Sequence, residues 1–278
     1  MKNILIALSL LIAGGMTAQA QAQTQTQTQT QTQAQDQTPA QTQALTPAQA
    51  KAKALEQDTY FTMDEMPDLV KCLPAPPDTA DPAFANDVMR YEWGKMMRSN
   101  PAIAARAERD AIWVLDTLVV IFSEPFGLKI TPQETPAIYK ALTKGIYTGQ
   151  LIRVRPKAYF HRIRPFEYFN EHVLNPWEEG ELRGEGSYPS GHTIRGWLAA
   201  LILSEINPAA ANELYARGWE YGVSRVISGA HWQSDVDASR PIASITYSLL
   251  QTSPEFRKQM DKAKKEFARK KRASKKGN

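Results

Sequence analysis

Ile194-Arg195-Gly196-Trp197-Leu198-Ala199-Ala200-Leu201-Ile202-Leu203-Ser204-Glu205-Ile206 is apolar almost all the way round a helical turn, and Asn207-Pro208 stops it. A helix with one apolar stripe lies on a core, whereas one that is apolar on every side lies inside it. This segment therefore predicts a buried central helix with others around it. The flanking sequence supplies them. Pro82–Met97 carries Phe84, Val88, Tyr91 and Trp93 at helical spacing. Pro101 opens a helix running through Ile112, Val114, Leu115, Leu118 and Val119, which Ser123–Gly127 ends. Thr131-Pro132 begins a third, through Ile138, Tyr139 and Leu142; Ala209 to about Ile227 and Trp232 to Leu250 give two more. Ser253-Pro254-Glu255 reads as an N-cap with proline at the first helical position, followed by an apolar stripe of Phe256, Met260, Ala263 and Phe267 that predicts docking on the core. No run of alternating apolar residues bounded by turns signals a strand. The expected fold class is all-α: a compact single-domain helical bundle.

The ends of the chain read differently. Residues 1–20 have the form of a secretory signal peptide: Lys2, an apolar run from Ile4 to Ala13, and Ala18-Gln19-Ala20 as a cleavage pattern. That run is shorter than the ~20 residues a spanning helix needs, and no later segment is long and apolar enough. Residues 21–45 form a Gln/Thr/Ala spacer with almost no apolar anchor, whose composition predicts disorder. Residues 46–267 carry the expected domain and 268–278 a basic tail. The one cysteine, Cys72, has no internal partner and is expected to be buried and inert. From Arg257 onward, eleven Lys/Arg face only Asp261 and Glu266, a local charge of +9 within a total of +4. The remainder is thus acidic, which argues against nucleic acid as a structural partner; the tail is expected to be a solvated helix end.

Three clusters carry chemistry. Immediately before the central helix lies Gly186-Ser187-Tyr188-Pro189-Ser190-Gly191-His192-Thr193. A helix start offers unpaired N–H groups and favours anions. Gly191 lets its N–H approach a ligand, Ser190 offers a hydroxyl, and His192 changes charge near neutral pH. A second cluster is Lys157 with Arg164-Pro165. Seven residues is about two helical turns, so the two cations are expected to share a face that Pro165 terminates. The third is Ser224-Arg225 followed by His231 and Asp235, in which a carboxylate one turn along orients an imidazole and leaves its other nitrogen free.

Three cations, an anion cradle and two histidines match what phosphoryl transfer needs, namely positioning plus stabilisation of spread negative charge. A metal site built from His192, His231, Asp235 and Asp237 is the competing reading, but Lys157, Arg164 and Arg225 would repel a cation. No metal and no cofactor are expected.

The three-part pattern Lys-x6-Arg-Pro, Pro-Ser-Gly-His and Ser-Arg-x5-His-x3-Asp resembles that of the class A bacterial nonspecific acid phosphatases, within the type 2 phosphatidic acid phosphatase and vanadium haloperoxidase superfamily. The likeness extends from about Tyr60 to Phe267. It implies the superfamily's helical bundle and a metal-independent hydrolysis of small phosphomonoesters, inhibited by vanadate, in the periplasm. By position it implies His231 as the nucleophile that becomes a phosphohistidine, Asp235 as its orienter and His192 as the acid for the leaving alcohol. Lys157, Arg164, Ser190, Gly191 and Arg225 would bind the phosphate oxygens. The resemblance also implies a homodimer or higher homo-oligomer. Ala230, where a bulkier residue is expected, is read as widening the pocket. The alternatives are a lipid-phosphate or prenyl-pyrophosphate phosphatase of the same superfamily, a haloperoxidase, and a non-catalytic exported phosphate-binding protein.

Overall fold

A computed structural model of the chain describes residues 58–276. The expected leader (1–20), spacer (21–45) and first residues of the expected domain (46–57) lie outside the described residues. Every regular element among the described residues is a helix. The longer ones are α1 (Pro82–Met97), α2 (Pro101–Ala111), α3 (Leu115–Phe126) and α4 (Pro136–Leu151). Two short helices follow, α5 (Val154–Phe160) and α6 (Pro165–Tyr168), then α7 (Glu179–Leu182). The second half comprises α8 (Gly191–Ile206), α9 (Ala211–Ile227), α10 (Gln233–Thr252) and α11 (Pro254–Lys276).

The expected central helix is α8. Ile194, Leu198, Ala199, Ala200, Ile202 and Leu203 are fully buried, and α4, α9 and α10 pack around them. The α8–α9 contact is very close. A Cβ on Gly196 would lie 2.6 Å from the Tyr221 ring, and one on Gly218 would lie 2.9 Å from Ala200 Cβ. Only glycine permits this approach, and it fixes the end of α9, which bears Ser224 and Arg225, against the start of α8, which bears His192.

The helix α11 docks as its stripe predicts. Phe256, Met260 and Ala263 are buried in the main core, with Phe267 packed at its edge. Buried Glu266 accepts the Ile138 N–H at 3.0 Å, capping the start of α4. The helix continues to Lys276, so the boundary expected at 267/268 falls inside one helix.

Four expectations are corrected. The helix opened by Pro101 is broken: Ile112 and Val114 take extended ψ values of 116° and 126°, separating α2 from α3. The break frees the carbonyls of Ala111 and Trp113, which accept hydrogen bonds from His192 and Arg195. The third helix starts at Pro136, because Thr131–Thr135 closes on itself: Thr131 N–H donates to Thr135 Oγ1 and Glu134 N–H to Thr131 Oγ1. Lys157 and Arg164 do not share a helix. Left-handed His161 (φ 40°) caps α5, and Pro165 opens α6 rather than ending a helix. Cys72 is exposed, in the turn after Leu69–Lys71. Among the described residues no helix is long and apolar enough to cross a membrane.

Candidate active site

The turn between α9 and α10 presents His231. Gly229 reverses the chain with φ 80°, a left-handed value that favours glycine. The N–H groups of Ala230 and His231 then both reach the Arg225 carbonyl at 3.2 Å. His231 Nδ1 lies 3.2 Å from Asp235 Oδ2, and its Nε2 lies 3.2 Å from Arg164 Nη1. A carboxylate accepts and a guanidinium donates, so both neighbours select the same tautomer: proton on Nδ1, lone pair on Nε2.

Asp235 is itself held. Its Oδ2 also accepts the Trp232 N–H at 2.9 Å, and its Oδ1 accepts from Arg162 Nη1 at 2.7 Å. Arg162 donates through Nη2 to Asp87 at 2.7 Å and to the Pro77 carbonyl at 3.0 Å. The chain Asp87–Arg162–Asp235 is buried throughout. Removing its one cation would leave two buried carboxylates with hydrogen bonds but no guanidinium between them, which costs several kcal/mol. Arg162→Met is therefore expected to lose about 3 kcal/mol of stability, read as a lower denaturant midpoint at unchanged slope.

His192, at the start of α8, takes the opposite tautomer. Its Nε2 lies 3.1 Å from the Ala111 carbonyl, which can only accept, so Nε2 bears the proton and Nδ1 the lone pair. The Trp113 ring meets the imidazole edge-on at 4.7 Å. Burial drives both histidines well below the usual imidazole range. For His231 the next causes are Arg164, Lys157 and Arg225; for His192 they are Arg225, Arg195 and His231.

Cations crowd the same space. Arg164 donates through Nε to the Leu182 and Glu185 carbonyls at 3.0 Å each and through Nη1 to the Ala230 carbonyl at 2.9 Å. Burial lowers its pKa to about 10. Lys157 donates to the Gly186 carbonyl, and burial and Arg164 press it well below the ordinary ammonium range. A site that holds several cations this far from water is set up for an anion, whose charge would restore them.

These groups surround a cavity of about 120 Å³. Its wall includes His231, His192, Lys157, Arg164 and Gly191. Asp235, Ser190 and Arg225 lie behind that wall. The Ser190 hydroxyl caps α8, accepting from Thr193 N–H at 3.4 Å and Thr193 Oγ1 at 3.0 Å. Arg225 is bound by Glu178, a wall residue, at 2.7 and 3.4 Å. Ala230 stands behind the wall, where its side chain packs with Phe166, Val173 and Leu182, the last of which lines the cavity.

Comparison with known proteins gives this arrangement a lineage. Residues 137–255 match the PAP2 superfamily. The chain is 43% identical over 211 residues to a non-specific acid phosphatase of Providencia stuartii, covering 76% of this chain and 85% of the relative. It is 44% identical over 197 residues to one from Salmonella typhimurium, covering 70% and 78%. An acid phosphatase of Zymomonas mobilis is 31% identical over 195 residues, covering 70% and 74%.

The chain belongs to the class A bacterial non-specific acid phosphatases.

It is an acid phosphatase. Several residues in the phosphatase's site escape the three-part pattern. Arg153 lines the cavity, with Nε on Gln150 at 2.8 Å. Arg162 holds Asp235. Both stand in the echoed Arg-x-Arg-Pro segments at 153–156 and 162–165, which is the signal that could have flagged them. Glu178 and Trp113 also line the cavity, and no spacing in the sequence ties either to the histidines. Among the described residues, no group of three His, Cys, Asp or Glu converges as metal ligands would.

Proposed function

We propose that the protein is exported to the periplasm and hydrolyses phosphomonoesters through a phosphohistidine on His231. The observation that supports this most is a pair of histidines at one cavity whose partners select opposite tautomers: His231 with an unprotonated Nε2 facing Arg164, and His192 with an unprotonated Nδ1. In the first step the Nε2 lone pair of His231 attacks phosphorus and the P–O bond to the alcohol breaks. His192, protonated on Nδ1, gives that proton to the departing oxygen. Asp235 stabilises the imidazolium that His231 becomes. In the second step His192 takes a proton from water, the hydroxide attacks phosphorus, and the P–N bond breaks. Phosphate leaves and both histidines return to their starting states. Lys157, Arg164 and the Gly191 N–H hold the phosphoryl oxygens; Arg225 joins them when Glu178 yields, and the Ser190 hydroxyl supports the loop.

This assignment fixes the pH dependence. His192 must be protonated to donate, yet burial and neighbouring cations hold it low in the free enzyme. Activity in kcat/KM should therefore fall as pH rises through a value below the ordinary imidazole pKa of ~6.5. A bound phosphoryl dianion opposes Arg225 and Arg195, so the same limb in kcat should lie at higher pH. The check is a pair of profiles with p-nitrophenyl phosphate, with and without a chelator and with added vanadate. Turnover that is acid-favoured, chelator-insensitive and vanadate-inhibited is expected. A flat profile into the alkaline range would remove His192 as the acid.

A further inference from the structure

We propose that Trp113 and Trp177 form an aromatic rim selecting phosphomonoesters whose alcohol carries a planar, uncharged ring; this rests on the phosphatase mechanism proposed above. Both tryptophans line the cavity that contains His192 and His231. Both also reach solvent: Trp113 is 39% exposed and Trp177 61%. Exposing an indole wastes apolar area that folding would otherwise bury. At Trp113 the rest of the ring is deliberately held: Arg195 Cζ sits 4.1 Å from its centroid, Arg195 Nη1 donates to its carbonyl at 2.7 Å, and His192 packs at 4.7 Å. The ring that touches the proton donor is thus rigid and already in place. A group leaving with the proton from His192 departs past it.

Trp177 has the opposite character. It follows Pro176 in a single 3-10 turn, and among the described residues no ring, guanidinium or hydrogen bond engages its side chain. Its fold role is small, while its backbone neighbour Glu178 enters the cavity beside it. A rigid aromatic next to the donor and an unengaged one at the same wall offer stacking to a flat partner, which every nucleobase or aryl ring presents. Exposed Glu181 on that wall adds negative charge, which disfavours a second anionic group on the alcohol.

The test compares adenosine 5′-monophosphate with ribose 5-phosphate. Both lose the same kind of primary alcohol, so their kcat/KM ratio reports the ring and cancels the active enzyme concentration. The parent protein should favour the nucleotide by about ten-fold or more. Trp177→Ala should bring the ratio down most of the way to one, and Trp177→Phe should restore much of it, because phenyl still stacks. A parent ratio near one, or a Trp177→Ala ratio within about two-fold of the parent's, overturns the rim. A parent protein that turns over neither ester is a different failure: it overturns the mechanism and the rim with it.

Discussion

His231→Ala is expected to reduce turnover of p-nitrophenyl phosphate by on the order of 10³-fold or more, the scale seen when a nucleophile is deleted from a preorganised site. Nε2 of His231 carries the one imidazole lone pair that meets Arg164 in the cavity, and no other group takes its place there. The substitution should leave the scaffold standing. Asp235 keeps the Trp232 N–H and Arg162 as partners, so no buried carboxylate is stranded. The lost ring enlarges an existing cavity rather than opening a new one. Arg164, Lys157 and Gly191 remain, and removing a ring that borders on these cations leaves their attraction for an anion intact. Vanadate should therefore still bind the variant, measured by calorimetry or by a rise in melting temperature. Acid-labile phosphate trapped on the parent protein during turnover should be missing from the variant. Residual activity within about ten-fold of the parent, with trapped phosphate still present, would falsify the assignment of His231 as nucleophile.

The readable and unreadable parts of this protein divide along a physical line. The helix α8 was legible because burial on all sides leaves a continuous apolar signature in its own residues. The docking of α11 was legible for the same reason: Phe256, Met260, Ala263 and Phe267 record in one segment which face meets the core. The contact between His231 and Asp235 was legible because the two stand one helical turn apart. What could not be read depends on partners far away in the chain. The break at Ile112–Val114 interrupts a sequence whose apolar spacing continues unaltered through Leu115 and Leu118. The Ala111 and Trp113 carbonyls it exposes are taken up by residues about eighty positions later. The spacing of Lys157 and Arg164 fits two helical turns, yet left-handed His161 divides them, and both cations reach the cavity from separate elements. Proline has two meanings at such a point, helix end or first helical position, and only the turn before it decides between them. Glu178 reaches Arg225 across 47 residues, with no local mark in either segment.

His192→Asn is the second large effect, and its size should depend on the substrate. An alkoxide is a poor leaving group without a proton, so kcat/KM for glycerol phosphate should fall by about 10²- to 10⁴-fold, the usual contribution of a general acid. A p-nitrophenolate leaves without help, so the first step with p-nitrophenyl phosphate should suffer far less. The second step is the same for both esters and needs His192 to take a proton from water. The variant should then form the phosphorylated enzyme readily and discharge it slowly. Rapid mixing should show a burst of about one equivalent of p-nitrophenol per site, followed by a slow steady state. Asparagine fills part of the imidazole's place against Trp113 and Tyr221, and its amide can still donate to the Ala111 carbonyl that His192 leaves. A merely structural histidine would give another pattern: equal losses on both esters and no burst. Loss of Ala111 anchoring is the other alternative, and it would lower both rates together with the melting temperature. The leaving-group dependence and the burst therefore test one claim from two sides, since the same nitrogen, Nδ1, must give a proton in the first step and take one in the second.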